Sequence, residues 1–223
     1  MTKITDWLSQ GIRTLKTAGI ESARLDCLIL LEDALDQTRI KVLSNLDYEI
    51  PNITLTHLDK MLERRKSREP LAYIRSSVEF YGRDFFVNPS VLIPRPESES
   101  IIEIAKTLPF ISGATIVDVG TGSGALAVTI SLEIPDSTVI AYDIDSAALE
   151  VARKNNVRFN SGVEFIQDDL LHESASTFDC IIANLPYVSR SHPVSIETIF
   201  EPSLSLFADD DGLALIKQLI GQI

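Results

Sequence analysis

The tetrapeptide Asn184-Leu185-Pro186-Tyr187 closes an almost unbroken apolar run, Phe178-Asp179-Cys180-Ile181-Ile182-Ala183. That run reads as a fully buried strand. An amide, a proline and an aromatic ring after such a strand offer two hydrogen-bond acceptors and a flat apolar surface. They do so at the carboxyl end, where open α/β sheets bind ligands. The plainer reading is a strand followed by an ordinary turn, since Asn and Pro are turn residues.

A second constellation precedes it. Asp118-Val119-Gly120-Thr121-Gly122-Ser123-Gly124 follows a strand pattern and opens a helix pattern, so the glycines allow a ligand close to the backbone and the helix amino end faces it. This is a nucleotide signal that fits two cofactors, because Gly120-x-Gly122-x-x-Ala125 also matches the dinucleotide fingerprint. Asp143 lies nineteen residues past Gly124, at the end of the next strand, where it can hold both ribose hydroxyls of either cofactor. Asp118 favours S-adenosylmethionine: a carboxylate there would lie close to an anionic pyrophosphate but suits the ammonium of an amino-acid cofactor. Asp118 also reads as an acceptor that caps the loop. Asp168-Asp169-Leu170 ends the third strand, where a carboxylate can accept from an adenine amino group and Leu170 can pack on the ring. A charged loop end is an equal reading. Asp145 or Ser146 caps the following helix.

The elements that must position these residues alternate. Strands are expected near 114–119, 138–143, 163–167 and 178–183, with helices near 123–133 and 146–155, which implies a parallel, doubly wound α/β sheet. Before it, residues 1–75 read as a helical bundle. Ile4, Leu8, Ile12 and Leu15 share one face behind the cap candidates Thr2 and Thr5. Ser22 opens a helix carrying Leu25, Leu28, Ile29 and Leu31, and Thr38 opens one carrying Ile40, Leu43 and Leu46. A fourth has Leu55, Leu58, Met61 and Leu62 inside and Lys60, Arg64, Arg65, Lys66 and Arg68 largely outside. Residues 76–95 contain a hairpin around Gly82 that bridges to the catalytic region, 96–223, and Pro96 suits a first helical turn. A last helix is expected over Leu213 to Ile220.

Composition narrows the class. The net charge of -12 is unevenly placed: 12 basic against 11 acidic residues in 1–75, but 8 against 21 in 76–223. An acidic second part argues against a polynucleotide substrate there, because such binding draws on phosphate neutralisation. No segment approaches the roughly 20 apolar residues of a membrane helix, and the start lacks the pattern of a signal peptide, which places the chain in the cytosol. Cys27 and Cys180 read as core residues, with neither metal-ligand spacing nor an obvious partner.

The glycine loop, the acidic end of the second strand and an Asn-x-Pro-Tyr closing the fourth together resemble the amino-methylating S-adenosylmethionine-dependent methyltransferases. More narrowly, the helical front end, Tyr73-Ile74, Glu79-Phe80-Tyr81-Gly82-Arg83, Leu92-Ile93-Pro94-Arg95-Pro96-Glu97-Ser98-Glu99 and Phe200-Glu201-Pro202 resemble the peptide chain release factor glutamine methyltransferases. The resemblance implies a Rossmann-like sheet and a helical domain that docks a release factor. It also implies methylation of the glutamine amide in a Gly-Gly-Gln loop. Gly120, Thr121, Gly122, Ser123, Gly124, Asp143 and Asn184 would then contact the cofactor, while Asn184, Leu185, Pro186 and Tyr187 hold the glutamine. The Asn184 side-chain oxygen and the Leu185 carbonyl would accept its two N–H bonds.

Two departures stand out. Leu185 occupies a position where this family normally has proline, and Asn-Leu-Pro-Tyr is the form seen in ribosomal RNA adenine dimethyltransferases. An adenine methyltransferase acting on RNA or DNA is therefore the alternative. Family members also continue for several more strands, so the chain is expected to be a fragment or truncated product with weakened or absent activity, monomeric if complete, with its fourth strand at a sheet edge. A non-catalytic remnant that binds a translation factor is the third reading.

Overall fold

The computed structural model describes residues 2–172 and 177–223. They form two compact units, Met1–Arg75 and Ser76–Ile223.

The first unit comprises α1 (Ile4–Thr17), α2 (Ala23–Leu35), α3 (Arg39–Ser44), α4 (Asn52–Lys66) and α5 (Leu71–Arg75). Ile4, Leu8 and Leu15 of α1 pack with Leu28, Leu30, Leu31, Leu58, Met61 and Leu62 into one core. Several details differ from the sequence expectation. The side chains of Ser22 and Thr38 make no capping bond, and Lys3 rather than a threonine stands before α1. Leu25 and Ile40 are exposed and Val42 is the residue that α3 buries, because a six-residue helix touches the core along one narrow line. Arg65 is buried instead of lying outside: it follows Leu58, Met61 and Leu62 on the same face at helical spacing. Its Nε donates to Asp26 Oδ2 on α2 at 2.7 Å, and that pairing offsets the cost of burying either charge.

The second unit opens with the hairpin β1 (Ser77–Phe80) and β2 (Arg83–Phe86), then a 3₁₀ turn over Pro96–Ser98 that leads into α6 (Glu99–Thr107). The main sheet follows as β3 (Thr115–Val119), α7 (Ala125–Glu133), β4 (Thr138–Asp143), α8 (Ser146–Phe159), β5 (Glu164–Gln167) and β6 (Cys180–Ala183). All four strands are parallel, in the order β5-β4-β3-β6. After them come β7 (Val188–Ser189), which pairs in parallel with β8 (Phe207–Ala208), and α9 (Ala214–Ile220).

The order explains a correction. β6 was expected to be fully buried, yet only Ile182 of its four residues is buried. Among the described residues β6 is an edge strand, so one flank has no neighbour to cover it. β3, with neighbours on both sides, buries four of its five residues.

Candidate active site

Register brings the sequence candidates together. Val119 on β3 stands level with Tyr142 on β4 and with Ala183 on β6. One step further along lie Gly120, just past β3, Asp143, the last residue of β4, and Asn184, just past β6, side by side at the carboxyl edge of the sheet. Asp143 is level with Gln167, so Asp168 and Asp169 follow on the far side.

These residues line one cleft. Its walls include Gly120, Gly122, Asp143, Asp145, Asp168, Asp169, Leu170, Asn184, Leu185 and Pro186. Leu92 and Pro202, from the segments that carry the family resemblance, also contribute, as do Ile144 and Leu204, to which no sequence signal assigned a role. A smaller recess beside it adds Thr121, Ser123 and Ser98. Tyr187, 66% exposed, and Asp118, 1% exposed, line neither.

The glycine loop is built by internal hydrogen bonds. The amides of Gly120 and Thr121 both donate to the Tyr142 carbonyl at 2.9 Å. The Gly122 amide donates to Asp143 Oδ2 at 2.8 Å, and the Asp145 amide donates to Oδ1 at 2.9 Å. A carboxylate offers about four lone-pair positions, so Asp143 retains acceptor capacity toward a ligand. Burial holds its carboxyl above the ordinary value, against those backbone bonds. Gly120 has φ +73°, and a Cβ there would come within 2.9 Å of Leu185 Cδ2. The loop and the tetrapeptide are thus in direct contact through a missing side chain. Gly124, φ +77°, lets α7 approach Ala152 of α8. Asp145 caps α8, accepting from the Ala147 amide at 2.8 Å, as its position had implied.

Asp118 sits beneath the loop, where the Thr121 hydroxyl donates to Oδ2 at 2.7 Å. That contact is the capping arrangement. Its Oδ1 is one of two buried side-chain polar atoms without a hydrogen-bond partner among the described residues, Thr129 Oγ1 being the other. Burial pushes the Asp118 carboxyl up to about 6, with the Thr121 bond opposing and the charge of Asp143 adding to the rise.

At the other end, Asn184 Nδ2 donates to Ser98 Oγ at 3.0 Å. Leu185 is buried with Val117, Val119, Tyr142 and Leu170, so packing holds it where a proline ring would otherwise fix φ. Gly212, φ +90°, lies against the Tyr187 backbone, and a Cβ there would fall 2.1 Å from the Tyr187 carbonyl oxygen. Glu201 is buried and accepts from the Ile93 amide at 3.2 Å and from Arg95 Nη2 at 2.5 Å. Ser98 and Gly212 brace the tetrapeptide from 86 and 25 positions away in sequence, measured from Asn184 and Tyr187. Spacing alone gives no signal for such partners.

The donor set tests the cofactor. The cleft lining holds four carboxylates and no Lys or Arg among the described residues. Such a lining suits hydroxyls and the positive charges of a sulfonium and an ammonium, whereas a pyrophosphate would meet four carboxylates with no cationic side chain in the described lining to offset them. S-adenosylmethionine fits these residues and a dinucleotide does not.

Comparison with known proteins agrees on both units. Residues 6–75 match the family model of the PrmC N-terminal domain, and residues 102–217 match that of the methyltransferase small domain. A release factor glutamine methyltransferase from Neisseria gonorrhoeae is 40% identical over 202 residues, covering 88% of this chain and 73% of its own length. Proteins of the same name from Koribacter versatilis and Staphylococcus aureus are 37% and 35% identical. They cover 96% and 99% of this chain, and 78% and 80% of their own lengths. Among solved structures, the hMettl16 catalytic domain in complex with a MAT2A 3′UTR hairpin aligns with a TM-score of 0.54 over 88% of this chain and 72% of that one. At 16% identity the likeness concerns the fold alone.

Proposed function

The chain belongs to the release factor glutamine methyltransferases, and from that premise we propose that it methylates the side-chain amide nitrogen of the glutamine in the Gly-Gly-Gln motif of a peptide chain release factor. The methyl donor is S-adenosylmethionine, which supplies an electrophilic methyl group on a sulfonium that departs as a neutral thioether.

The observation that carries this reading is the shared level of Gly120, Asp143 and Asn184 at the carboxyl ends of three neighbouring strands, where all three line one cleft. Asp143 and the Gly120–Gly124 loop hold the cofactor's ribose and amino-acid ends, and Asp169 and Leu170 face its base. Asn184 Oδ1 and the Leu185 carbonyl accept the two N–H bonds of the substrate amide. Tyr187, exposed beside them, lies along the amide plane. An amide nitrogen is a poor nucleophile because its lone pair is delocalised. Two fixed acceptors orient that lone pair toward the methyl carbon, so positioning supplies most of the acceleration. The new N–C bond forms as the S–C bond breaks, and the surplus amide proton leaves to solvent afterwards. No side chain is assigned as a base.

We assign release-factor docking to the helical unit and read the enzyme as cytoplasmic. No described helix is long and apolar enough to cross a membrane. The test incubates the chain with methyl-labelled S-adenosylmethionine and a release factor and maps the label by mass spectrometry. Label on the Gly-Gly-Gln glutamine is expected. Label in RNA or DNA instead overturns the reading.

A further inference from the structure

We propose that Asn155 is a positioning residue that ties the glycine loop to the β1–β2 hairpin and so fixes the walls of the recess beside the cofactor. Asn155, on α8, is fully buried and lines neither the cleft nor that recess. Its carboxamide is committed at both ends to backbone groups of fixed polarity. Oδ1 accepts from the Phe86 amide at 2.8 Å, while Nδ2 donates to the Phe86 carbonyl at 2.9 Å and to the Ser123 carbonyl at 2.8 Å. An amide N–H only donates and a carbonyl only accepts, so the reversed carboxamide would lose all three bonds.

The Ser123 bond falls where the loop is freest to move. Ser123 lies between Gly122 and Gly124, both at positive φ, and a peptide unit next to glycine rotates at little steric cost. Asn155 holds the Ser123–Gly124 unit by its carbonyl, and the Gly124 amide donates to the Thr121 carbonyl at 2.9 Å, so both ends of that unit are pinned. Ala152, three residues earlier on α8, lies against Gly124 from the same face of the helix. The Phe86 bonds carry the constraint to the hairpin. Phe80 of β1, and Leu92 six residues after Phe86, line the recess together with Gly120 to Ser123 and Asn184. One buried carboxamide therefore joins the two segments that enclose the reacting groups, without itself touching a ligand.

The inference rests on the reading that S-adenosylmethionine occupies the cleft, and not on the identity of the methyl acceptor. Asn155→Asp keeps an acceptor for the Phe86 amide and loses both donors. Titrated with S-adenosylmethionine in a calorimeter, it should bind at full stoichiometry with a Kd about tenfold above wild type, the worth of one hydrogen bond, while kcat at saturating cofactor stays within about threefold. Val139→Ala, at the amino end of β4, is the control: it should lose stability to urea and keep the wild-type Kd. Wild type supplies a second measurement that needs no variant to fold. Phe86 lines neither the cleft nor the recess, yet coupling is reciprocal, so bound S-adenosylmethionine should slow hydrogen exchange of its amide about tenfold more than that of Val139. A folded Asn155→Asp with the wild-type Kd, at full or reduced stoichiometry, or equal slowing of the two wild-type amides, overturns the proposal. If wild type binds no S-adenosylmethionine, the cofactor reading falls and the proposal with it. If both responses appear but no release factor is labelled, the substrate reading alone falls.

Discussion

The two ends of the cleft are built differently. The cofactor end follows β3 and β4, interior strands whose loop is stitched to them by backbone hydrogen bonds to Tyr142 and Asp143. The tetrapeptide follows β6, an edge strand with one buried residue, and depends on contacts imported from elsewhere: Ser98, Gly212 and the Gly120–Leu185 contact. One end is rigid because of where it lies in the sheet. The other is rigid because separate segments brace it. Damage at one end should therefore leave much of the other's chemistry intact.

The largest expected effect breaks that comparison at the tetrapeptide. Asn184→Ala should lower the single-turnover methylation rate by about 10²- to 10³-fold, the usual cost of losing one positioned transition-state partner. Cofactor affinity by calorimetry should fall far less. At the opposite end, Asp143→Ala should weaken cofactor binding by about 10- to 100-fold through loss of charge-assisted hydrogen bonds. A calorimetric Kd equal to that of wild type contradicts the assignment. Gly212→Ala strikes the bracing alone. The clash with the Tyr187 carbonyl and the left-handed φ should cost about 1–3 kcal/mol in urea unfolding and slow transfer, with little change in cofactor affinity.

Asp118→Asn leaves the cleft lining untouched and sharpens the contrast through pH. Its folded carboxyl is raised from 3.8 to about 6 by burial, so the native state binds the proton more tightly than the unfolded chain. The stability this contributes is fully present below pH 3.8 and is lost as pH rises through 6. The whole window is worth at most about 3 kcal/mol, at 1.36 kcal/mol per unit. Asparagine cannot ionise, so the variant should gain on wild type over that window in parallel urea titrations. Parallel pH profiles would show that the buried carboxylate carries no such penalty.

Much of the interior end was legible in the sequence. A strand pattern, three glycines and a helix pattern are local signals, and all three glycines adopt positive φ. Asp143 and Asp145 were legible because their positions follow from strand and helix ends. The edge end was legible as Asn184 to Tyr187 itself, while the segments Leu92–Glu99 and Phe200–Pro202 stood out only through family resemblance, with no sign that the first reaches Asn184. Ser98 and Gly212 act through long-range approach, which no local period encodes. The same limit applies in the helical unit, where Arg65 reads as a surface cation until Asp26, 39 residues earlier, is seen beside it. Asp118 shows a subtler limit: a carboxylate before a glycine loop suits an ammonium, but the fold turns Thr121 back onto it and buries both.

The central claim is a division of labour across one cleft, and one paired measurement tests it most directly. Cofactor Kd by calorimetry and single-turnover transfer to the release-factor glutamine would be measured together for wild type, Asn184→Ala and Asp143→Ala. The account predicts that Asn184→Ala loses transfer while binding cofactor, and that Asp143→Ala loses cofactor affinity and recovers transfer as cofactor is raised. Equal losses of both quantities in both variants would contradict it.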